Sequence, residues 1–305
     1  MGNIKLQYYA VVGLFVLMPI SCCVLAAPHR LLHEQALAIA KDRDASAATK
    51  VLKLSELAAA DDPGDSGLAQ GLNALRDRLK MLDVVLAHDF IFKSDDVDLH
   101  LAQARMAFNE LERMGGVDPE MRDLMARNQT AAWNIEDARL LMPERPVKEG
   151  GLLPDKLVLD DYTAGRPAYV RLDGGIGTVT SVDLTKGPRI IVVAGCHISD
   201  RAAMAINDSP ALKQAFEDAR ALWVAPASNS ADLKAIRAWN ARMPDQQIMI
   251  SYRNNEWPTL DFSVIPSFYF FRDGEVVADV QGWPADGSIP DELLQALTRI
   301  RKDRE

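Results

Sequence analysis

The sequence predicts an all-α N-terminal half followed by an α/β C-terminal half, a mixed sheet covered by helices. Three observations carry that expectation. Leu68, Leu72, Leu75, Leu79, Leu82 and Leu86 recur at three- and four-residue steps, which places them on one face of a helix. Beyond residue 155, strand-like runs alternate with helical ones and end in a hairpin and a helix, which predicts helices covering both faces of the sheet. Between the halves, residues 143–154 are rich in Pro, Gly and charge, the composition of a linker. The expected division is a leader at 1–26, a helical domain at 27–142, the linker at 143–154 and an α/β domain at 155–305.

The leader carries one Lys and no acidic residue before the apolar run from Ala10 to Ala27, and Val24-Leu25-Ala26 offers a small-residue cleavage site. Three readings stand: a cleaved secretory signal, an uncleaved anchor close to bilayer-spanning length, or a lipid-bearing Cys22 or Cys23. All three place the body of the protein outside the cytoplasm, in a bacterial periplasm. Membrane attachment follows only if the leader is uncleaved or lipidated.

Within the helical half, Asp61-Asp62-Pro63-Gly64 ends one helical stretch and Ser66 is the N-cap of the leucine-striped one. A helix over Leu99–Met114 is stopped by Gly115-Gly116. A single further helix is expected from Pro119, a good first-turn residue, to Leu141. Four or five helices in a bundle or in paired hairpins account for this half. His29 and His33 have a metal-compatible spacing but no accompanying Glu, Cys or third His, so a solvated pair is expected and neither metal nor cofactor.

In the second half, Ala168–Leu172 and Thr178–Leu184 read as strands about the turn Asp173-Gly174-Gly175. The buried-type strand Ile190–Ala194 leads to Cys196 and a helix reaching Arg220, interrupted near Pro210. Leu222–Ala225 is a strand, Ser230–Met243 an amphipathic helix and Ile248–Ile250 a strand. Ser267–Phe271, Arg272-Asp273-Gly274-Glu275 and Val276–Val280 form a hairpin with its turn residues in place. A helix over Pro290–Arg301 closes the chain. Trp223, Trp239, Phe268 and Phe270 fall at core spacings, and packing is also the expectation for the loop residues Trp257 and Trp283.

The formal net charge of −9 argues against nucleic acid as a partner, because phosphates need clustered Lys and Arg. Of three cysteines, two lie in the leader, so with the leader removed no intramolecular disulfide can form. Cys196 is then a buried inert residue, a partner-linking residue or a working thiol. Its place between a strand and a helix puts it at a helix N-terminus, where orphan N–H groups and the helix dipole favour a thiolate.

The order of strand, Cys196-His197-Ile198-Ser199, helix, strand, helix, strand, and then Val264-Ile265-Pro266-Ser267 through Val277, resembles the thioredoxin fold. The extra helix and strand before the hairpin are similar to the periplasmic TlpA-like branch. The resemblance covers about Lys156 to Arg301, and Gly282 also matches. It implies a cis proline at Pro266 opposite the active-site cysteine, with the preceding backbone at Ile265 pairing with a bound peptide. Two departures stand out: Gly195 occupies the family's aromatic position and Ser199 that of the resolving cysteine. A second thiol releases a mixed disulfide as an internal one, a step closed to a serine. Ser199 instead offers a hydrogen bond to the thiolate, and a protonated His197 adds positive charge.

Three functional expectations follow. The first is monothiol chemistry at Cys196, with a mixed disulfide to periplasmic protein thiols or a small thiol, or a sulfenic acid resolved from outside. The second is a redox-inactive binding module using the groove between Cys196 and Pro266. The third is a scaffold in which the helical domain holds a protein partner.

Overall fold

The computed structural model describes residues 28–60, 71–142, 153–228 and 233–301. It is mixed α/β, with ten α-helices and an eight-stranded sheet among the described residues, helices forming the N-terminal part and strands entering in the C-terminal part. No helix among these residues is long and apolar enough to cross a membrane. The leader, Asp61–Gly64, Ser66, Leu68 and the linker through residue 152 lie outside the described residues.

The N-terminal part contains α1 (Pro28–Lys41), α2 (Ala47–Ala60), α3 (Leu72–Phe92), α4 (Val97–Arg113), α5 (Pro119–Ala131) and α6 (Ile135–Leu141). α3 is its axis and packs against α1, α2, α4 and α5. Leu75, Leu79, Leu82 and Leu86 of the predicted stripe are buried, and Met81, Val85 and Phe90 are buried with them. A helix enclosed by four neighbours needs apolar residues beyond a single stripe. Its first residue is Leu72, with Gly71 as N-cap and no side-chain cap.

The single helix expected over 119–141 is two. Asp118 caps α5 by accepting the Met121 N–H at 3.0 Å, and Pro119 fills the first turn. The chain then breaks at Trp133, in the left-handed region at φ 60. Asn134 N–H reaches back to the Gln129 carbonyl at 2.9 Å, a six-residue closure of a helix C-terminus. The break lets the indole leave the bundle, and its Nε1 donates to the Ser251 carbonyl at 3.2 Å.

The C-terminal part runs β1 (Lys156–Leu159), β2 (Ala168–Asp173), β3 (Ile176–Ser181), β4 (Arg189–Val193), α7 (His197–Asp208), α8 (Pro210–Asp218), β5 (Leu222–Ala225), α9 (Leu233–Arg242), β6 (Ile248–Ser251), β7 (Ser267–Arg272), β8 (Glu275–Gln281) and α10 (Asp291–Arg301). The sheet order is β1-β3-β2-β6-β5-β4-β7-β8. β4, β5 and β6 are mutually parallel, β7 and β8 antiparallel, and β2 joins β6 antiparallel. β1, which the sequence reading lacks, pairs parallel with β3 as the outermost strand. The predicted interruption near Pro210 is real, with Ser209 capping α8.

The prediction of a sheet covered by helices holds for one face only. Ile190, Val192, Phe268 and Phe270 share a core with the buried residues of α7, α8, α9 and α10. Ile191, Val193, Tyr269 and Phe271, pointing oppositely by strand alternation, pack with Trp257, Leu260 and Phe262 and with no helical residue among those described. The cause is topological. β4, β5 and β6 succeed one another in one direction, so right-handed crossovers put α7, α8 and α9 on the same side. The opposite face is left to the irregular segment between β6 and β7.

Candidate functional site

The site forms where β4 ends. Ala194 N–H extends the pairing by donating to Val224 O at 2.9 Å, and Gly195 then turns at φ 144. A Cβ is disfavoured at that φ, which gives a physical reason for glycine at this position. The turn aims Gly195 N–H at Ser199 Oγ, 3.3 Å away. Cys196 follows in extended geometry as N-cap of α7, and its carbonyl accepts from Ser199 N–H at 2.9 Å.

The Cys196 side chain makes no cap bond. Its half-buried thiol lies 3.6 Å from Ser199 Oγ and donates to the Ile265 carbonyl at 3.5 Å. These contacts act oppositely on ionisation. A carbonyl only accepts, so it suits the protonated thiol, whereas a hydroxyl can turn its proton toward a thiolate. Ser199 is fully buried, so its hydroxyl is confined to Gly195 N–H and the sulfur.

Ile265 is delivered by register. Val193 of β4 faces Ser267 of β7, so residues just before β7 lie across from those just after β4. The Ile265–Pro266 bond is cis. Pro266 O accepts from Gly282 N–H at 2.7 Å, and Ser267 Oγ donates to Val264 O at 2.7 Å. The structure thus brings Cys196, Ser199, Ile265 and Pro266 together. His197 is the exposed first residue of α7, and its side chain has no hydrogen bond or ion pair among the described residues. Asp261 is spent within its own turn, accepting from Ser263 N–H at 2.8 Å and Ser263 Oγ at 2.5 Å.

Several residues that shape this region carry no signal in the sequence. Tyr269 Oη accepts the Asp261 N–H at 2.9 Å, and burial pushes the Tyr269 phenol pKa up. At the other end of the covering segment, buried Glu256 accepts from Tyr162 Oη at 2.6 Å and Gly165 N–H at 3.2 Å. Burial, and then the Glu256 carboxylate, drive the Tyr162 pKa well above the phenol range. A buried His100 Nδ1–Asp89 Oδ2 pair at 2.6 Å joins α3 to α4 in the helical part.

A cleft of about 60 Å³ between the two parts touches Asp89, Lys93 and Arg253, and a hollow of about 310 Å³ lies between β8 and α10. Neither is lined by Cys196. The half-buried thiol lies beside exposed Gly195 and His197. Among the described residues no group of three or more His, Cys, Asp or Glu is placed to hold a metal ion. Comparison with family models, curated proteins and solved structures found no match to this chain.

Proposed function

We propose that this protein is a thioredoxin-like monothiol protein that works in thiol–disulfide chemistry outside the cytoplasm. The observation that carries the reading is the placing of the Cys196 thiol at the start of α7, between buried Ser199 and the Ile265 carbonyl. The thioredoxin resemblance, the cis Ile265–Pro266 bond and the apolar leader support it.

In the proposed reaction, deprotonated Cys196 attacks one sulfur of a disulfide. A Cys196 Sγ–S bond forms, the original S–S bond breaks, and the departing thiolate carries away the electron pair and takes a proton from water. Ser199 Oγ donates to the attacking sulfur. With serine in the second position, an external thiol reverses the adduct by the same displacement. The disulfide belongs to a periplasmic protein or a small thiol.

The test is exposure of the full-length chain to glutathione disulfide, followed by peptide mass mapping. A glutathionyl adduct at Cys196, faster than on an unfolded control and absent in Cys196→Ala, is expected. A native Cys196 that forms no adduct refutes the reading and leaves the residue a packed thiol in a binding module.

A further inference from the structure

The helical part ends two of its helices on non-glycine residues in the left-handed region, Lys93 after α3 at φ 62 and Trp133 after α5 at φ 60. Glycine is the easy choice at such a position, since it has no Cβ to clash. Both residues here send their side chains across to the C-terminal part. The Trp133 indole reaches Ser251, as described above. Lys93 Nζ donates to three carbonyls of the segment between β6 and β7: Trp257 at 3.3 Å, Pro258 at 2.9 Å and Leu260 at 2.7 Å.

An ammonium has three donors, and all three are used. The segment they grip covers the second sheet face and runs on to Ile265, whose carbonyl touches the Cys196 sulfur. It has no ladder of its own: besides Lys93, it is held by local turns, by scattered single bonds such as Trp257 Nε1 to the Ala168 carbonyl at 3.1 Å and Asp261 N–H to Tyr269 Oη, and by the buried side chains of Trp257, Leu260 and Phe262. Burial pulls the Lys93 pKa down, and the nearby Asp261 charge partly offsets that.

We infer that Lys93 is a positioning residue of the thiol site: from the helical part, it fixes the segment that holds the Ile265 carbonyl against Cys196. The inference rests on the proposed thiol reading for its consequence, though not for its geometry. When the clamp is loosened, the carbonyl leaves the sulfur, the protonated thiol loses its acceptor and the thiolate forms more readily. The helical part therefore restrains the sulfur, and a partner that draws Lys93 away would release it.

The test compares full-length wild type with Lys93→Met, Lys93→Arg and Trp133→Phe. Trp133→Phe removes the other cross-contact described above and controls for loosening between the parts. Hydrogen exchange at Leu260, Asp261 and Gly282, whose N–H groups bond to Trp257, Tyr269 and Pro266, reads the segment without using the thiol. Lys93→Met is expected to speed exchange there about tenfold, the scale of one lost charge-assisted bond, with partial recovery in Lys93→Arg and no selective change in Trp133→Phe. Iodoacetamide labelling of Cys196 in Lys93→Met is expected to rise about threefold near neutral pH, the scale of one lost neutral hydrogen bond.

Unchanged exchange in Lys93→Met overturns the inference, as does changed exchange with unchanged labelling of a reactive Cys196. Equal effects from Trp133→Phe also overturn it, because they reduce Lys93 to general adhesion. A wild-type Cys196 inert to iodoacetamide sinks the thiol reading instead, and the exchange data still decide whether Lys93 positions the segment.

Discussion

On the proposed monothiol chemistry, Ser199→Cys should convert a site that needs an external thiol into one that resolves its own adducts. Ser199 Oγ lies 3.6 Å from Cys196 Sγ, one helical turn along the same segment, and is fully buried. A sulfur in that place must close to ~2.05 Å to form a disulfide, a movement within reach of side-chain rotation at a helix start. The magnitude follows from effective concentration. Well-oriented intramolecular partners reach ~10⁵ M; allowing only ~1 M, an internal thiol outpaces ~1 mM external thiol by about a thousandfold. The assay loads Cys196 with glutathione, removes excess reagent and follows glutathione release without added thiol. Wild type should hold the adduct, whereas Ser199→Cys should expel it and gain an internal disulfide by mass mapping. An adduct equally long-lived in both proteins would refute the argument that residue 199 is aimed at the sulfur.

Two further outcomes test the frame around the site. Trp133→Ala removes a buried indole and leaves the Ser251 carbonyl without its donor, so urea unfolding should show a loss of ~3–5 kcal/mol; a loss under ~1 kcal/mol would mean the two parts are not joined through this residue. Asp183 accepts from the Thr185 hydroxyl and N–H, with Lys186 adding its charge, which holds its pKa down at about 2 against an ordinary 3.8. A carboxylate depressed on folding stabilises above its unfolded pKa and loses that contribution as pH falls through the folded one. Wild type should therefore exceed Asp183→Asn in stability at pH 6, by a small margin for so exposed a group, and the gap should close between pH 4 and 2. A gap independent of pH would assign the effect to shape rather than charge.

The legible parts of the chain were those whose constraint is local. The β7–β8 turn needs positive φ at two successive residues, and Asp273-Gly274 supplies them at 52° and 89°. Pro210 starts a helix because it cannot continue one, and the aromatic run of β7 is buried because both sheet faces are covered. The Cys196–Pro266 pairing was readable only through the resemblance, since the residues lie 70 positions apart and meet through strand register. What escaped was decided by tertiary contact. β1 is an exposed edge strand whose four residues show no alternation of burial. The break at Trp133 falls in a stretch without proline or glycine, and only a docking site on the distant Ser251 accounts for it. His100 and Asp89 are unremarkable polar residues until α3 and α4 are laid side by side.

The missing helix on the second face has the widest consequence. A helix satisfies its own backbone groups, whereas an irregular covering segment must find donors for its carbonyls elsewhere. Here the carbonyls of Trp257, Pro258 and Leu260 are met by Lys93, and Asn254 bridges outward, taking the Ala227 N–H on Oδ1 and giving its amide to Phe90 O of α3. Every one of those bonds to α3 or its cap crosses what the sequence presents as a domain boundary. The helical part therefore completes the polar accounting of the sheet face that the α/β crossovers leave bare. The covering segment ends at Ile265 and Pro266, so the grip of Lys93 on residues 257–260 reaches the thiol site only through the chain between them.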